Sequence, residues 1–177
     1  MKYLLTGIAL SAAVAQAAGG GQPPTTGAAT TGAPQTARAA QAAPGTLRVW
    51  KASEIADRGK ELAKKLDAQK VASQIVLTEG NRTFMVAHRE GSGIAEWHEK
   101  DADIMVISVG EVTMVHGGTI VDAKTTAPGE MRGPSIRGGT EVRLGPGDVL
   151  HIPAQVPHQM KLDPGMKMTY FVAKVVQ

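Results

Sequence analysis

Residues 147–158 read GDVLHIPAQVPH, and residues 96–103 read EWHEKDAD. In the later stretch Gly147-Asp148 makes a turn and Val149 to Ile152 have the composition of a strand. Pro153 and Pro157 then stiffen the backbone ahead of His158. Rigidity of this kind around one imidazole suits a group that must be held in place. In the earlier stretch Glu96 and His98 are spaced i, i+2, so on a strand they share one face and Trp97 takes the other. After a turn at Lys100-Asp101, Asp103 heads the apolar run DIMVISV. A carboxylate that faces inward there needs a charged partner or a metal.

The surrounding sequence keeps the period of two. QIVLT, RTFMVAH, DIMVISV, EVTMVH, TIVDA, EVRL, DVLHIP and MKMTYFVAKV all have strand character. Turn residues separate them, among them Glu79-Gly80-Asn81, Gly117-Gly118, Pro128-Gly129 and Asp163-Pro164-Gly165. Short strands at this spacing predict an all-β sandwich or barrel. No βαβ alternation is present, and Gly91-x-Gly93 lacks both the third glycine and the following helix of a dinucleotide site. Upstream, SEIADRGKELAKKLD (53–67) places Ile55, Gly59, Leu62 and Leu66 on one stripe, with Ser53 as N-cap. This predicts one amphipathic helix with a packing role.

The N-terminus, MKYLLTGIALSAAVAQAAGG, has the form of a secretory signal peptide cut after Ala17 or Ala18. Its apolar run is shorter than the roughly 20 residues that span a bilayer. No membrane contact is therefore expected after cleavage, and the location is expected to be periplasmic or secreted. The next segment, GGGQPPTTGAATTGAPQTARAAQAAP, is rich in Gly, Pro, Thr and Ala, with Arg38 as its only charge, and reads as a disordered linker. There are no cysteines, which excludes disulfides, thiolate zinc sites and thiol nucleophiles. Nineteen basic residues face sixteen acidic ones, with no basic block and few aromatics, which argues against a nucleic-acid partner.

The two opening stretches together resemble the paired motifs of the cupin superfamily. The first motif of that family is His-x-His, then Glu, then Gly. Here Glu96-Trp97-His98 is followed after four residues by Asp103 and after six more by Gly110. The second motif runs Gly, Pro, Gly, His, Asn. Here the corresponding positions are Gly147, Pro153, Gln155, His158 and Leu162. The resemblance covers roughly residues 80–175 and implies a cupin-like antiparallel β-barrel, a jelly roll or double-stranded β-helix, with one N-terminal amphipathic helix. The layout is then residues 1–18 signal peptide, 19–45 linker, 46–72 helical segment and 73–177 barrel. By carry-over the metal ligands are Glu96, His98, Asp103 and His158.

Two imidazoles with two carboxylates suit a divalent cation, with Mn²⁺, Fe²⁺, Ni²⁺ and Zn²⁺ all open. The implied function is metal binding in the barrel, with metal-dependent chemistry of oxygenase or isomerase type on a small molecule. A homodimer is implied by the resemblance alone. The alternatives are a metal-free module that binds a sugar or organic acid, and a scaffold without a ligand. In these, Glu96 pairs with an arginine such as Arg89 or Arg143, and His158 bonds a backbone carbonyl. His151, on the face of Val149, is a candidate pocket residue, and His88 a candidate for the barrel mouth. His116 is expected to be exposed at a hairpin. The Gly/Pro-dense stretch TTAPGEMRGPSIRGGT (125–140) reads as a specificity loop in which Arg132 or Arg137 could hold a carboxylate.

Overall fold

The structure, a computed structural model, describes residues 45–177, so the expected signal peptide and all but the last residue of the expected linker lie outside the described residues. Alternating apolar and polar residues form β1 (Val71–Glu79), β2 (Arg82–Arg89), β3 (Ala95–His98), β4 (Asp101–Val109) and β5 (Val112–His116). Shorter strands follow: β6 (Thr119–Val121), β7 (Lys124–Ala127), β8 (Glu130–Gly133), β9 (Ser135–Arg137) and β10 (Thr140–Leu144). The last three are β11 (Val149–Ile152), β12 (His158–Lys161) and β13 (Met168–Val176). One sheet has the order β1-β2-β13-β4-β11, a second β10-β5-β12-β3-β8-β7, and β6 and β9 form a small ribbon. All pairings are antiparallel, giving the expected cupin-like barrel.

The core fills the space between the two larger sheets. Met85, Ala87, Met105, Ile107, Met114, Met160, Met168 and Val172 are all buried in it. With aromatics at only 3% of the chain, unbranched methionines fill the irregular gaps between strands. The helix α1 (Ala52–Leu62), followed by a 3₁₀ turn at Ala63–Lys65, packs on the outer face of the first sheet. There Ile55 and Leu62 meet Val86, and Trp50 stacks on Phe84 with ring centroids 5.2 Å apart. Gly59 is required by this contact, because a Cβ at that position would collide with the Thr169 side chain of β13. The N-cap is Lys51 rather than Ser53, and the Glu54 carboxylate accepts the Lys51 backbone N–H at 3.4 Å.

The stretch 125–140 differs from the loop expected there. It carries β7, β8, β9 and the start of β10, and β8 pairs directly with β3, opposing Glu96 to Arg132 and His98 to Glu130. Its glycines and prolines mark strand ends; Pro128-Gly129 turns the β7–β8 hairpin, with Gly129 at φ +73°. Among the described residues no helix is long and apolar enough to cross a membrane.

Candidate metal centre

The strand register dictates which side chains meet. β3 sends Glu96 and His98 to the interior, and β12 pairs with β3 through His158 opposite Glu96. β4, in the facing sheet, supplies Asp103, which is 2% exposed. One donor atom each from Glu96, His98 and His158 lies within 4.8 Å of the others. Asp103 Oδ2 is 3.7 Å from both His98 Nε2 and His158 Nε2, and the two rings are 5.3 Å apart between centroids. The four residues named from the sequence are therefore brought to one place. Three of them form the tight donor group, and Asp103 sits beside it.

The imidazoles are oriented by their other nitrogens. His98 Nδ1 donates to the Glu130 carboxylate at 2.8 and 2.9 Å. His158 Nδ1 donates to the Val156 carbonyl at 3.0 Å. Both Nε2 lone pairs are thereby directed at the same point, as in sites where a carboxylate or carbonyl fixes the tautomer of a metal-bound histidine. His158 Nε2 is buried without a hydrogen-bond partner. An orphaned acceptor of this kind is costly unless a cation or a donor meets it. The donor set fits a divalent cation on these grounds. Asp101 also comes near His98 and Glu130, but Glu130 is already committed to His98 and, at 2.7 Å, to Arg132.

Lys174 of β13 completes the centre, and no sequence motif marks it. Its ammonium donates to Asp103 Oδ1 at 2.8 Å and to His98 Nε2 at 3.2 Å. Only the alternation of β13 could have signalled it, as a lysine on the inward face of an apolar strand. Arg132, named from the sequence as a residue that could hold a carboxylate, also borders the centre. It is half-buried, pairs with Glu130, and lies 3.7 Å from Glu96. Glu96 thus has Arg132 as its arginine rather than Arg89 or Arg143, and Arg143 instead bridges Glu111 and Asp163 on the surface.

The other histidines fall outside the centre. His151 is exposed, because β11 turns that residue outward. His88 is buried on the helix side of the first sheet, bonded to Thr169 Oγ1 at 2.9 Å, and so is not at the barrel mouth. His116 is exposed, as expected. Arg137 is exposed and has no ion pair among the described residues.

The electrostatics favour donors over acids. Burial works to raise the Glu96 carboxyl, but Arg132, His158, His98 and Lys174 together outweigh it and hold the group below its ordinary value of 4.5. Burial lowers the His158 imidazole below 6.5, against the opposing pull of Glu96, the Val156 carbonyl and Asp103. His158 is neutral at neutral pH and its lone pair is available. The unfolded chain therefore binds the His158 proton more readily than the folded chain does, and acidification favours unfolding. The stability tied to His158 is fully present above pH 6.5 and is lost as pH falls below it. Glu96 acts with the same sign lower down, contributing above pH 4.5 and losing that contribution on further acidification. Thermal unfolding of the metal-free protein is expected to show a melting temperature that drops on both steps, with His158→Gln flattening the upper one.

Removing the orienting carboxylate should be visible without disturbing the ligands. Glu130→Gln is expected to weaken divalent-metal affinity by roughly 10–100-fold, the usual cost of losing the partner that orients a metal-bound histidine. Titration of the variant beside the parent checks this, and an unchanged affinity would show that Glu130 only pairs with Arg132.

No protein-family model matches the chain, and no curated protein is significantly similar to it. Solved structures are similar in fold. The TT1209 protein from Thermus thermophilus is 18% identical, with a TM-score of 0.48 over 66% of this chain and 92% of that one. A cupin 2 conserved barrel domain protein from Rhodopseudomonas palustris is 15% identical, with a TM-score of 0.44 over 60% and 61%. Peruvianin-I, a cysteine peptidase from Thevetia peruviana latex, is 16% identical, with a TM-score of 0.43 over 63% and 64%. The chain thus spans less than two thirds of the length of the last two.

Proposed function

We propose that this protein binds a divalent metal cation in its barrel, through His98, His158 and Glu96 with Asp103 alongside, and acts on a small molecule held next to it. The observation that carries the reading is the paired orientation of the imidazoles: each Nδ1 is anchored on an acceptor, and both Nε2 atoms converge on one carboxylate-lined point. Two histidines and one carboxylate on one side leave positions open for a ligand. A cation bound there would supply Lewis-acid polarisation or an activated water to that ligand. The protein's own residues hold the donors rigid, keep His158 neutral and keep Glu96 ionised. The oxygenase-type or isomerase-type chemistry of the sequence resemblance belongs to this proposal, as do a periplasmic or secreted location and a homodimer.

The test is elemental analysis of protein purified without added metal, followed by titration with Mn²⁺, Fe²⁺, Ni²⁺ and Zn²⁺. Stoichiometric binding of at least one is expected. Protein that stays metal-free throughout the series excludes the reading.

One observation favours a second reading, a small-molecule binding module without metal. Lys174 donates to the Nε2 lone pair of His98 and neutralises Asp103, so the chain carries a cation of its own at the centre. Under that reading, ligand-induced thermal shifts survive a chelator.

A further inference from the structure

Arg89, at the end of β2, is a buried cation without a counter-ion. It is 9% exposed, and no carboxylate lies within ion-pair distance of it among the described residues. Its guanidinium lies over Gly93, where a Cβ would come within 3.0 Å of a terminal nitrogen, and beside the Tyr170 phenol. Burial of an unpaired guanidinium is costly unless a ligand repays it.

A cavity of about 30 Å³ adjoins it, lined by Arg89, Glu96, His158, Gln159 and Tyr170, with the exposed Ile94 among its walls. Three buried side-chain polar atoms in the described residues have no hydrogen-bond partner: Arg89 Nε, His158 Nε2 and Gln159 Oε1. All three residues line this one cavity. The Gln159 amide is fixed, since its Nε2 donates to the Gly93 and Pro134 carbonyls at 2.8 and 3.2 Å. Buried unsatisfied groups are rare in native proteins; with His158 Nε2 taken by the metal centre, the two on Arg89 and Gln159 point to what the space receives.

We infer that this cavity is a carboxylate subsite: Arg89 takes the carboxylate of a small organic acid, whose remaining atoms lie toward His158 and the metal centre. A guanidinium presents the planar fork that matches a carboxylate. A carboxylate is a small planar group, and the cavity beside the guanidinium is small. Gln159 Oε1 accepts from a hydroxyl on the same ligand, a contact an α-hydroxy acid would make. Glu96 lines the cavity too, and its charge is met by Arg132 at 3.7 Å. A divalent cation on the histidines would neutralise Glu96 further, and in that respect the inference rests on the metal reading.

The experiment measures metal binding first and carboxylate binding second, on the full chain. Acetate and glycolate are titrated by calorimetry into metal-loaded and metal-free protein, with acetamide as the uncharged control. Acetate and glycolate are expected to bind, glycolate more tightly, and acetamide is not. Arg89→Gln is expected to lose at least 10-fold in acetate affinity with metal affinity unchanged. Arg89→Lys, which keeps the charge but not the fork, and Gly93→Ala, which presses on the guanidinium, should each weaken acetate several-fold, and they decide the matter if Arg89→Gln does not fold. Equal acetate affinity in parent and variants, or no acetate binding at all, overturns the subsite and leaves the metal reading standing. Absence of metal binding overturns the metal reading, and the same comparison on metal-free protein then decides the subsite.

Discussion

His158→Ala is expected to lower divalent-metal affinity by more than about 100-fold while the barrel stays folded. Loss of a residue that merely orients a ligand costs roughly 10–100-fold, and loss of the ligand itself exceeds that. His158 suits the experiment because its roles separate cleanly. Its Nε2 has no hydrogen-bond partner, so truncation breaks no bond at that atom. Its Nδ1 holds only the Val156 carbonyl, two residues away in the same turn. His98→Ala should match it in affinity but cost more stability, since His98 also anchors Glu130 and Lys174. Competition with a chromophoric chelator reads the affinity, and circular dichroism confirms the fold. Retention of the parent affinity in both variants would place the metal elsewhere.

The fold was legible in the sequence because period-two alternation and turn residues are local signals. The strand runs were visible from their own residues, whereas the grouping of Glu96, His98, Asp103 and His158 came from the resemblance to the cupin motifs, and the register sets His158 opposite Glu96. The pattern survives even where the motif residue has changed. Gln155 stands where the second cupin motif has glycine and adopts φ +67°, the left-handed conformation a glycine takes without cost. Leu162, in place of asparagine, is buried in the core at 9% exposure.

What the sequence hid was long-range. Lys174 lies 71 residues from Asp103, and Glu130 lies 32 from His98. Neither contact has a local signature. The stretch 125–140 misled because Gly and Pro were read as disrupting strands when they end them. Arg89 was considered only as a partner for Glu96, and its burial without a counter-ion appears only once β2 is placed against the cavity.

Lys174→Met carries the second large effect: it lowers the stability of the metal-free protein and raises its affinity for metal. In the metal-free protein Lys174 is the counter-charge of Asp103, which is 2% exposed. Removing one partner of a buried pair leaves the other uncompensated, at a cost of roughly 3–5 kcal/mol. The melting temperature of metal-free Lys174→Met should fall accordingly. The double variant Lys174→Met/Asp103→Asn should recover much of the loss, because it removes both charges together. Metal binding should run the other way. The ammonium holds the Nε2 lone pair of His98 at 3.2 Å and places a positive charge beside the donors, so a cation must displace or repel it. Without Lys174 the affinity is expected to rise by about 10-fold, worth about 1.4 kcal/mol, and the entering cation takes over the neutralisation of Asp103. Thermal scans of parent and variant with and without saturating metal should then show a wide gap that narrows on loading. If loading leaves the gap unchanged, Lys174 and the metal do not share a site. If the variant is as stable as the parent without metal, Lys174 is not the counter-charge that Asp103 depends on.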